Sequence, residues 1–130
     1  MNGRPVPERK AAPADLSVLA DLVGDDPQVI AEMLDAFRQS AAAAALELRA
    51  SVRAGAAPAP AAAATAGDIA HRIKAAARAI GAAGLADICA QIETGVPPGR
   101  EGELLALLRA FEFELAAVNR FLDAAQKATA

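Results

Sequence analysis

Tryptophan and tyrosine are absent, phenylalanine occurs four times, and aromatics make up 3% of the chain. β-Branched residues are scarce as well, so the side chains that favour pleated sheets are largely missing and the composition is that of helices. A single cysteine excludes an intramolecular disulfide and fits a reducing compartment. No segment approaches the ~20 continuous apolar residues of a membrane span, and the opening MNGRPVPERKAAP has no apolar run to serve as a signal peptide. Excess positive charge is also lacking: the net charge is −3 and the pI near 5.1, so the overall field offers no pull toward nucleic acid or anionic lipid. A soluble, cytoplasmic protein is expected, with neither nucleic acid nor membrane as partner.

What the chain does have is alanine, leucine, glutamate and arginine. Its 130 residues make one ordinary domain, which on folding hides roughly two-thirds of the surface that the unfolded chain exposes. Residues 1–13 hold three prolines, mixed charge and no periodicity, and are expected to form a flexible tail ahead of a domain at 14–128. Asp15 reads as the N-cap of a short helix with Leu16, Leu19, Leu22 and Val23 on one side, ended by Gly24. Asp26 and Pro27 read as the N-cap and first residue of a second helix, about 28 residues long, striped by Ile30, Leu34, Phe37, Ala41, Ala44, Leu48 and Val52 and stopped by Gly55.

AAPAP at 56–60 breaks the pattern. Beyond it, Ile69, Ile73, Ala76 and Ile80 stripe a third helix that stops near Gly81. Leu85, Ile88, Cys89 and Ile92 supply a fourth, closed by TGVPPG at 94–99, and Leu104, Leu108, Phe111, Leu115, Val118 and Leu122 a fifth. Four substantial amphipathic helices with short connections predict an all-α, up-and-down antiparallel four-helix bundle with a short extra N-terminal helix. Cys89 falls on an apolar stripe and reads as a buried small hydrophobe rather than a redox centre.

The one histidine, His71, sits in AHRIKAAARAIGAAG. At 100° per residue, Ile69, Ile73, Ala76 and Ile80 fall within about 40° of the pole opposite His71, which points the imidazole at water. Ala64, Gly67, Asp68, Lys74, Ala75 and Arg78 share its face, small or cationic for the most part. Small neighbours leave the ring open to another protein, and the cations suit oxygens placed near it. An exposed histidine flanked by basic residues is also a common idle surface. A metal site is not expected, since one histidine beside Lys74 with scattered carboxylates lacks ligands.

If Gly81–Ala83 is the turn between the third and fourth helices, its centre lies eleven positions after His71 and eleven before Glu93. An antiparallel pair then brings the two to one height, where Glu93 could accept from one ring N–H and leave the other nitrogen outward as a nucleophile. Spacing alone leaves Glu93 equally well an ordinary solvated glutamate at a helix end.

At AHRIKAAARAIGAAGLADICAQIE the chain resembles the histidine phosphotransfer (HPt) domains of two-component phosphorelays. In that pattern a histidine is followed by a lysine three on, a glycine or small residue next, a glycine about ten after the histidine, and an apolar-cysteine-apolar helix ending in an acidic or amide residue. His71, Lys74, Ala75, Gly81, Leu85, Cys89, Ile92 and Glu93 fall into place. Residues 19–55 look like the family's first long helix and the turn before it. Ala75 departs from the pattern, standing where glycine is usual, and a methyl there narrows the approach to the ring slightly.

The resemblance implies His71 as phosphoacceptor, Lys74 as phosphate-stabilising cation and Glu93 as the partner that orients the imidazole. It further implies a docking face that includes Gly67, Asp68, Arg72, Ala75 and Arg78. The partners it implies are receiver domains of response regulators and hybrid histidine kinases. Such a protein is a phosphotransfer intermediate, not a turnover enzyme; it needs no cofactor of its own, because Mg²⁺ comes with the receiver, and a monomer suffices. No G-x-x-x-x-G-K-[ST] loop is present, so no kinase activity from ATP is expected. Two other readings are a non-catalytic helical interaction module, which leaves the polar face unexplained, and the phosphoacceptor module of a larger histidine kinase.

Overall fold

The computed structural model describes residues 12–53, 59–97 and 99–128. Among them every regular element is helical: α1 (Leu16–Val23), α2 (Pro27–Arg53), α3 (Ala59–Ala79), α4 (Ala83–Thr94) and α5 (Glu101–Ala128). The starts follow local chemistry. The Asp15 carboxylate accepts from the Ser17 hydroxyl at 2.6 Å and the Ser17 N–H at 3.0 Å, and these bonds hold it below the usual carboxylate range. Asp26 caps α2 in the same way, accepting from the Gln28 N–H at 2.9 Å ahead of Pro27. Of the expected AAPAP break, residues 56–58 lie outside the described residues, and α3 begins at Ala59, within the segment. Pro60 then occupies the first turn, where a missing N–H costs nothing. Gly55 and residues 1–11 of the expected tail at 1–13 lie outside the described residues.

α2 packs against α3 and α5, α4 packs against α3 and α5, and α1 lies on α2 and α3. Arg38 pairs with Asp123 at 2.7 Å and Arg49 with Glu112 at 2.8 Å. Three turns forward on α2 therefore match three turns back on α5, and these two helices run in opposite directions.

All six positions of the α5 stripe are buried, with Phe111, Val118 and Leu122 at 0% exposure, as are Leu34, Phe37, Ala41, Ala44 and Leu48 of α2. Helix α1 departs from expectation. Of the four apolar residues expected on one side, Leu19 is buried and Leu16 half-buried, whereas Leu22 is 66% exposed and Val23 is exposed as well. An eight-residue helix resting on two neighbours along one line buries only what is aimed at that line. On α3, Ala66, Ala70 and Ala77 join the isoleucines in the core while Ala76 is half-buried. The helix is covered on two sides, so its buried arc is wider than one stripe.

Candidate phosphoacceptor site

The chain reverses between α3 and α4 in three residues. Gly81, at φ +70°, donates its N–H to Arg78 O (3.1 Å), and Ala82 donates to Ala77 O (2.8 Å). That pair of bonds is a Schellman ending, with glycine in the left-handed position it requires and Ala77 and Ala82 both fully buried. Ala82 is at once the N-cap of α4, its carbonyl taking the Ala86 N–H at 3.0 Å. A turn this tight fixes the register of the two helices.

Small side chains then bring the helices close. Ala66, Ala70 and Ala77 are fully buried. At Gly67, one turn before His71, an added Cβ would stand 3.5 Å from the Glu93 carbonyl oxygen and 3.6 Å from its Cα. Gly67 is buried, which corrects the expectation that it belongs to a partner-binding face: its place is the contact of α3 with the end of α4.

His71 is exposed, its side chain 67% accessible, with Ile69, Ile73 and Ile80 buried behind it. Its Nδ1 lies 2.5 Å from Glu93 Oε2, and the Lys74 ammonium donates to Oε1 of the same carboxylate. The Lys74 bond, opposed by desolvation and aided by the histidine bond, holds the Glu93 carboxyl below its ordinary range. An ionised carboxylate only accepts, so the ring nitrogen facing it carries the proton. In the neutral form of the ring the lone pair then falls on Nε2, which has no partner among the described residues.

The cations diverge. Taking Ile73 as the inward direction, Lys74 stands about 100° to one side and Arg72 about 100° to the other. Lys74 accordingly reaches α4, where it is largely covered at 18% exposure, and Arg72 reaches α2, where it donates to Glu47 Oε1 at 2.7 Å. Two of the three cations Arg72, Lys74 and Arg78 are thus paired, and Arg78 is the one of the three with no carboxylate partner among the described residues. Asp68, Ala75 and Arg78 remain exposed on the His71 side. Glu47, unmarked in the sequence, is the residue of this region that helical periodicity did not find. Beneath the site Cys89 is fully buried, and that burial pushes its thiol up to about 11. Among the described residues no three His, Cys, Asp or Glu side chains gather to hold a metal ion, and no helix is long and apolar enough to cross a membrane.

The family model of the Hpt domain matches residues 32–128, most of the chain. The chain belongs to the Hpt domain family. Neither the curated proteins nor the solved structures provide a match. Hpt domains serve histidine phosphotransfer in phosphorelays and interact with receiver domains of response regulators. His71, Lys74, Glu93, Arg72 and Glu47 all fall within the Hpt match, whereas α1 and the first turn of α2 precede it.

Proposed function

We propose that this Hpt domain passes a phosphoryl group between receiver-domain aspartates by way of His71, within an up-and-down antiparallel four-helix bundle that carries α1 as an extra short helix. The observation that supports the reading most is an exposed imidazole whose Nδ1–H is committed to a charged carboxylate, so that Nε2 keeps its lone pair for an incoming electrophile. Nε2 attacks phosphorus in line, the N–P bond forms, and the acyl-phosphate O–P bond breaks to release the receiver's aspartate. Nε2 holds no proton to lose, and Glu93 remains on Nδ1–H as the ring takes up positive character. Lys74, one turn from the ring, is poised between Glu93 and the phosphoryl oxygens and offsets part of their charge. Reversal of the step loads the second aspartate.

Receivers supply the Mg²⁺ and the acidic pocket, so the chain acts as a cytoplasmic, monomeric phosphoprotein intermediate and takes phosphate from receivers and not from ATP. Incubation with a receiver charged from acetyl phosphate is expected to place acid-labile, alkali-stable label on His71. His71→Gln should take none while keeping its helicity, because the side chain is mostly in water. Label retained in that variant, or no label on the native chain, refutes the assignment; the second result is what a purely structural interaction module would give.

A further inference from the structure

The edge of the His71 face that borders α2 holds a group with no part in the transfer step. Arg72 and Glu47 are joined across α2 and α3 at 2.7 Å, with side chains 62% and 49% exposed. Asp68, one turn before Arg72, adds a second carboxylate on that side. Ala50, Ser51, Thr65 and Ile69 complete a groove of about 490 Å³ around them. On the α4 side, Lys74 is bound by Glu93. Three acids, Glu47, Asp68 and Glu93, thus stand among three bases, Arg72, Lys74 and Arg78, and the face is close to neutral despite the three cations along α3.

Resting on the phosphotransfer reading above, we infer that Glu47 is a specificity-determining residue of the receiver-docking face: by holding Arg72 it withholds a positive charge from the incoming partner. An unpaired charge acts over about a Debye length, 8–10 Å in ordinary buffer, whereas a pair in contact presents only a short-ranged dipole. Of these three bases, Arg78 is then the one left to steer an acidic receiver. A receiver with a densely acidic rim gains little extra attraction from this face, and discrimination passes to the fit of the small residues around His71. Glu47 acts through Arg72 and touches no reacting atom.

Glu47→Gln tests this by releasing Arg72. The donors are the phosphorylated receiver that transfers fastest to the native chain, and phosphoramidate, a small donor that needs no docking face. The ratio of receiver-dependent to phosphoramidate-dependent second-order rates should rise about three-fold at low salt, the effect of one freed unit charge several ångströms from an acidic surface. The gain should lie in the half-saturating receiver concentration rather than in the saturated rate, shrink toward nothing in about 0.5 M salt, and vanish in Glu47→Gln/Arg72→Gln. Since Glu47 is half exposed, circular dichroism should report native helicity for each variant. A ratio that does not rise, or a rise that survives high salt or loss of Arg72, overturns the inference and leaves the assignment of His71 standing. A native chain labelled by neither donor overturns both.

Discussion

Gly81→Ala probes the turn that aligns His71 with Glu93. At φ +70° an alanine pays about 1–2 kcal/mol for the left-handed backbone. Its Cβ would also stand 2.4 Å from the Asp15 carbonyl oxygen and 2.8 Å from Asp15 N and Cβ. These atoms belong to the backbone and base of a helix cap, so the start of α1 must move away. Moving it breaks the bond from Asp15 N–H to Ile80 O (3.1 Å), a net loss of about 1 kcal/mol. It also loosens Leu19 and Ala14, now 1% and 2% exposed, and partial exposure of a leucine costs about 1–2 kcal/mol. The expected total is about 3–5 kcal/mol, a large share of the ~5–15 kcal/mol of an ordinary domain. The control is Gly24→Ala, at φ +90° with nothing within 4 Å of the added carbon, which pays for backbone strain alone. Urea and thermal unfolding followed at 222 nm suits a chain without tryptophan or tyrosine, and Gly81→Ala should lower Tm by roughly 15 °C. Hydrogen exchange should show Leu19 losing protection first. If Gly81→Ala unfolds no earlier than Gly24→Ala, the contact with Asp15 is not what makes glycine necessary.

Lys74→Ala should slow transfer to His71 or shorten the life of the phosphohistidine without abolishing receiver binding, measured by label chase and by titration; unchanged rate and lifetime would remove Lys74 from the mechanism. The Glu93 carboxyl is held below its ordinary range chiefly by Lys74. A depressed carboxylate stabilises the native state fully above its unfolded pKa and loses that contribution as pH falls through its folded pKa. The Glu93 contribution is therefore intact at neutral pH and fades only in acid below the usual glutamate range. Side-chain NMR titration should show this, and a Glu93 midpoint at or above that of free glutamate would contradict it. The Cys89 thiol, buried and pushed up to about 11, should react with an aromatic disulfide at pH 8 only as fast as the chain opens. Rapid stoichiometric reaction in native buffer would place it at the surface.

The long helices were readable because their burial is periodic and their caps are local. Leu104 through Leu122 need only a 3.6-residue period to be assigned to the core, and Asp26 with Pro27 needs only adjacent residues. The misjudged positions depend on neighbours that no window contains. Leu22 and Val23 look like core on a wheel, but a helix of two turns is buried only where others meet it. Ala77 looks neutral, yet it is fully buried because α3 is flanked on both sides and alanine is what allows α4 to approach.

The site divides in the same way. The exposure of His71 and its height match with Glu93 follow from one helix period and one turn length, both present in the sequence. The wheel also separates Lys74 from Arg72 by about 160°. What it lacks is the occupant of each side, since that depends on which helix packs left and which right of α3. With α4 on one side, Gly67 and Lys74 become inward residues of an interhelix contact, and the lysine meets the very carboxylate that orients the ring. With α2 on the other, Arg72 meets Glu47, 25 residues away in sequence. A cation count along α3 therefore overstates the positive charge offered to a partner, because a charge on a helix flank belongs as much to the neighbouring helix as to its own.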